Sequence, residues 1–197
     1  MYVSNNKENN NKFLKYLQFN VANKDKKVAS LSWRYFKISN YLLDLNTYLR
    51  TVTNEEIEVA TGNVLSELVI VVDTMSNKKV LNFLRDLFKI LKLEYHNAYF
   101  TSLNKSSNNV LNADVLNREI SAIAPKVVIG LDNSTIAINS NSNMTIYHLP
   151  YKEMNKMLDL MDRADELSEI EAAELTVIKN KMWSILKNII QGYSTLQ

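Results

Sequence analysis

Two short runs of β-branched residues limit what this chain can fold into. Leu68, Val69, Ile70, Val71 and Val72 are closed by Asp73, and Val127, Val128 and Ile129 follow Pro125 and Lys126 and are closed by Gly130. Such runs are apolar at every position rather than every second one, so they suit strands covered on both faces. Between them, residues 79–93 place Val80, Phe83, Leu84, Leu87, Phe88 and Leu91 at helical spacing. Residues 98–101 read as a short strand, 113–124 as an amphipathic helix stopped by Pro125, and 144–148 as a fourth strand. This alternation predicts an α/β fold: three α/β/α layers around a four-stranded, mostly parallel sheet with right-handed crossovers.

The flanks read as helical. Residues 1–12 form a polar, flexible tail, and a first helix is expected over 12–21. A longer helix over 33–51 carries Phe36, Ile38, Tyr41, Leu42, Leu45 and Leu49 in a broad stripe. Thr53 reads as the N-cap of a further short helix, with Glu55 and Glu56 in its first turn. At the other end, residues 152–167 and 171–191 predict two helices, with Gly192 as terminator. The expected organisation is one domain: tail 1–12, helical section 13–66, core 68–150 and C-terminal helices 152–191. Trp33 and Trp183 are expected in the core. Met154, Met157 and Met161 form a packing face or an adaptable partner surface, and the acids between Asp159 and Glu174 a solvated face or, alternatively, a DNA-mimicking or basic-partner surface.

Composition removes several function classes. With no cysteine there is no disulfide, thiolate zinc site or iron–sulfur cluster held by cysteine. Three glycines argue against a glycine-rich phosphate loop. No pair of histidines stands with a carboxylate at ligand spacing, so neither metal nor cofactor is expected. No stretch approaches the ~20 apolar residues of a membrane helix, and the Asn/Lys-rich start lacks an apolar signal core. A soluble, cytoplasmic domain is the expectation. The net charge of +2 advertises no polyanion-binding surface over the whole molecule, but leaves room for a local basic face.

In open parallel sheets ligands bind beyond the carboxyl ends of the strands. The loops there collect Asp73, Thr74 and Ser76; Ser102, Asn104 and Lys105; Asp132, Asn133 and Ser134; and His148 and Lys152. Asp73 is either a catalytic acid or a cap for the next helix. His148 is either functional or a satisfied strand-end histidine. His96 reads as structural, and Lys78, Lys79, Lys105 and Lys152 as a phosphate rim or as solubility charges.

The same segments carry a family resemblance. Residues 71–76, 99–105, 117–131 and 147–151, with the helix at 181–186, follow one another as do the motifs of the uracil-DNA glycosylase superfamily. The stretch from Asn117 through Pro125 and Lys126 to Gly130 and Leu131 is the nearest match. The resemblance implies a strand order of 2-1-3-4. It implies Asp73 and His148 as the catalytic pair, with Thr74, Ser76, Ser102, Asn104, Lys105, Asn133, Ser134 and Lys152 against the base and the DNA. Thr74 and Met75 replace the acid or amide and proline of the first loop. Ser102 replaces the base-recognising asparagine, and Leu149 interrupts the histidine–proline pair. The implied function is therefore a catalytically impaired, DNA-binding replication or repair factor of phage type. An active glycosylase and a protein–protein adaptor working through the C-terminal helices are the alternatives.

Overall fold

The computed structural model describes residues 26–76, 78–90, 94, 97–131, 138 and 143–194. The tail, the helix expected over 12–21, His96, Asp132, Asn133 and Ser134 lie outside the described residues. Two compact units are distinguished, Met1–Asp44 and Leu45–Gln197.

The described elements run α1 (Lys26–Thr53), β1 (Thr61–Gly62), β2 (Leu68–Val72), α2 (Lys78–Ile90), β3 (Tyr99–Ser102), α3 (Asn109–Ile123), β4 (Val127–Gly130), β5 (Thr145–His148), α4 (Tyr151–Asp162) and α5 (Glu169–Ser194). A single 3-10 turn, Ala164–Glu166, separates the last two helices. The sheet has the order β1-β3-β2-β4-β5. The four expected strands stand in the expected order and pair in parallel, with Ile70 facing both Phe100 and Ile129, and Ile129 facing Tyr147. The sheet is five-stranded rather than four-stranded, because Thr61 and Gly62 add an antiparallel edge beside Phe100 and Tyr99.

Strand burial follows from the layers. Every residue of β2 is buried. Leu68, Ile70 and Val72 point into a cluster with Phe83, Leu84, Leu87 and Phe88 of α2, Met154 and Met157 of α4, and Met182, Leu186 and Ile190 of α5. On the other face lies α3, whose Val115 packs with Leu49 and Ile57. Edge strand β5 is mostly exposed, so alternate burial weakens where cover ends on one side.

Helix ends explain most differences from expectation. Thr53 does not open a helix. Its hydroxyl donates to the Leu49 carbonyl at 2.8 Å, and Asn54, at φ 55°, closes α1 with its amide on the Arg50 carbonyl. Asparagine tolerates the left-handed conformation that ends a helix. Residues 54–60 are consequently an irregular strap. Helix α3 is capped by the Asn108 side chain, which accepts from the Leu111 amide, and ends at Ala124 with φ 52°. Helix α5 starts at a capping box: Ser168 Oγ accepts from the Glu171 amide, while the Glu171 carboxylate accepts from the Ser168 amide and hydroxyl. It runs past Gly192 to Ser194, since a lone glycine weakens a helix without forcing a stop. Trp33 is 51% exposed, not core. The buried stripe is Ile38, Leu42, Leu45 and Leu49. Five residues before Ile38, Trp33 is turned about 140° away from it.

The geometry of Gly62 is compulsory. Its φ is +106°, and an added Cβ would stand 2.2 Å from the Ala98 carbonyl oxygen. Gly62→Ala should lower the unfolding free energy by about 2 kcal/mol, measured by urea denaturation, because it adds strain at a disfavoured φ and a clash with backbone.

Candidate functional site

The site is assembled at the carboxyl ends of β2 and β3. The parallel ladder continues past both strands: the Leu103 amide donates to the Val72 carbonyl at 2.9 Å and the Asn104 amide to the Asp73 carbonyl at 3.0 Å. This stitching puts side chain beside side chain, and Asn104 Nδ2 donates to Asp73 Oδ1 at 2.6 Å. Asp73 lies ahead of α2, and its carboxylate is turned to Asn104 of the neighbouring loop.

Glu58, on the irregular strap, reaches into the loop after β2. Its carboxylate accepts from the Thr74 hydroxyl, from the Met75 amide at 2.5 Å and from the Ser76 amide at 3.1 Å. Ser102 Oγ, fully buried at the end of β3, turns to the same carboxylate. Burial pushes the Glu58 carboxyl up, yet the donors from Thr74, Met75, Ser102 and Ser76 outweigh it and hold it below the usual glutamate range. Glu55 makes a parallel contact: the Ser107 hydroxyl and amide donate to it, the amide at 2.9 Å, and hold its carboxyl low. The Glu58 amide donates to the Lys105 carbonyl at 3.2 Å.

Lys105 is not a rim lysine. Its ammonium is buried, donating to Thr101 Oγ1 at 2.7 Å and lying 3.3 Å from Glu119 Oε2. Tyr99 and Thr101 donate to the two oxygens of that carboxylate at 2.7 and 2.6 Å. Burial, with the Glu119 charge beside it, pushes the Tyr99 phenol far above its usual value. Fully buried on Thr101 and Glu119, the ammonium has no exposed face to offer a phosphate.

Asp73, Thr74, Ser76, Ser102 and Asn104 are thus brought together. His148 and Lys152 are not among them. His148 ends β5 in register with Gly130, two strands from β2 and so about 10 Å across the sheet, and Lys152 is exposed in the first turn of α4. Among the described residues no group of three metal-ligating side chains occurs, and no helix is long and apolar enough to cross a membrane.

Glu58 and Glu119 escaped sequence reading for different reasons. Glu58 was legible only as an acid of a helix that does not form. Glu119 did carry a signal: it lies on the buried face of α3 with Val115, Leu116, Ile120 and Ile123, where a charge demands a partner. A separate groove of about 710 Å³ lies between α2, α4 and α5, with Phe83, Leu87, Met161 and Trp183 in its walls and Lys89 and Lys179 at its rim. Trp183, expected in the core, is half-buried there.

Two stability measurements separate these roles. Lys105→Met should cost about 3–5 kcal/mol in urea denaturation, because it strands the Glu119 carboxylate in the interior. Glu58→Gln should be destabilising at neutral pH. Because the folded-state pKa of Glu58 is depressed, its contribution is present above the ordinary glutamate pKa and is lost as pH falls through the folded value. The gap between wild type and Glu58→Gln should therefore close on acidification.

No protein-family model matches this chain, and no curated protein is significantly similar to it.

Proposed function

We propose that this chain is a nucleic-acid-binding accessory protein, related in plan to the uracil-DNA glycosylases but without their chemistry. The observation that carries the reading is the exposed face of α1. Trp33, Lys37 and Tyr41 follow one another at four-residue intervals and so share one side of the helix. Trp33 is 51% and Tyr41 43% exposed, and the Lys37 ammonium sits 5.2 Å from the centre of the Trp33 ring. Across its length α1 has five basic residues (Lys26, Lys27, Arg34, Lys37 and Arg50) against a single acid, Asp44. Aromatic planes interleaved with cations suit single strands, since bases stack on the rings while phosphates meet the charges.

The strand-end loops favour binding over catalysis. Hydrolysis of a glycosidic bond needs a carboxylate free to position water and an amide free to read the base. Asp73 and Asn104 satisfy each other instead, and Glu58 occupies the amides after Thr74.

Retention of a thymine-rich single strand, with and without uracil, tests this reading. Wild type should retain both at low salt, lose affinity steeply as salt rises and release no base. Trp33→Ala should weaken retention about tenfold, the value of one stacked base. Formation of abasic sites that Asp73→Asn abolishes would return the enzyme reading. Absence of retention at low salt would end the nucleic-acid one.

A further inference from the structure

The groove between α2, α4 and α5 belongs to the unit Leu45–Gln197 and shares no residue with the strand-end loops. Buried Phe83, Leu87 and Leu158 form its floor, while Ile90, 63% exposed, Met161 and the half-buried Trp183 stand at its mouth. At about 710 Å³ it has the size of a small-molecule site. Such sites are mostly apolar, with a few polar groups that fix the ligand's orientation.

The polar residues of the groove decide what fills it. Lys79 and Asp162 form an ion pair that ties α2 to α4 and neutralises both charges. Asn82 Oδ1 accepts from Arg85 at 2.5 Å. Among the described residues, Lys89 and Lys179 are left without an ion pair or hydrogen bond, and Asp86 is the one groove acid in the same condition. Two ammoniums against one carboxylate favour an anionic head over a neutral or cationic one. Lys179 precedes Trp183 by four residues on α5, so this cation stands beside the indole. Lys89 follows Lys79 by ten residues, which puts it about 15 Å along α2 from the ion pair. Along α2 the groove therefore passes from a neutralised end, over an apolar floor, to an unpaired cation. That profile matches a molecule with one anionic head and a long apolar body. A peptide running through the groove would bury or break the Lys79–Asp162 pair, whereas a molecule with an apolar end stops short of it.

We propose that this groove binds a small amphipathic carboxylate, its apolar body on Phe83, Leu87 and Trp183 and its head on Lys89 and Lys179. The site shares no residue with the aromatic face of α1 and does not depend on nucleic-acid binding there.

Decanoate, decanol and decyltrimethylammonium carry one alkyl chain and differ in head charge. Each is titrated, below its micellar concentration, into Trp33→Phe, where Trp183 is the remaining indole. Decanoate should change the Trp183 fluorescence saturably, with a midpoint about tenfold below that of decanol, the worth of one hydrogen bond to a charged group. Decyltrimethylammonium should bind more weakly than either. Lengthening octanoate to decanoate should lower the midpoint about tenfold, since each buried methylene is worth about a three- to fourfold change. Lys89→Gln combined with Lys179→Gln should raise the decanoate midpoint to that of decanol and leave decanol unmoved. If Trp33→Phe does not fold, calorimetry on the unsubstituted protein reads the same series. A folded protein with no saturable response to decanoate overturns the proposal. So does one that holds all three heads alike, or that keeps its preference for decanoate in the double variant.

Discussion

A lysine and a glutamate buried together hold the working end of this sheet. Glu119 projects from α3 to the face of β3, where Tyr99, Thr101 and Lys105 all turn toward its carboxylate. Neither charge could stay inside alone, since the desolvation of an unpaired ion exceeds what any single packing contact returns. Together they decide where the chain goes after β3. Lys105 must fold back over Thr101 to reach its partner, and that turn presents Leu103 and Asn104 to the end of β2. The backbone of Lys105 then accepts from Glu58, so the same turn anchors the strap.

From that anchor the site closes on itself. The two acids of the strap take the donors of two loops, Glu55 those of Ser107 and Glu58 those of residues 74–76. Asp73 and Asn104 complete the arrangement. Loops at the carboxyl ends of parallel strands usually direct such groups toward a ligand. Here they are directed toward one another. The contrast with α1 is sharp in chemical terms: aromatic rings and cations stand exposed there.

The parts legible in the sequence were those fixed by short-range pattern. Continuous burial of β2 and β4, the helical stripes of α2 and α3, and the parallel pairing of four strands all follow from periodicity and crossover geometry. The edge strand β1 escaped because two residues carry no period; it exists through pairing with β3 and the positive φ of Gly62. Thr53 and Glu55 imitate a helix start in sequence, but the left-handed Asn54 had already ended α1, a conformational choice that side-chain identity only biases. Trp33 went to the surface because four aliphatic residues at better spacing claimed the buried stripe.

By itself the sequence determined the layers and which loops would lie at the ligand-binding end, because these depend on apolar spacing and chain handedness, both local properties. Only the tertiary structure decided which polar groups meet. Lys105 and Glu119 lie on separate elements, as do Glu58 and Thr74. Their pairing comes from the need to satisfy buried charge and loose amides once the sheet has formed, and no spacing along the chain announces it.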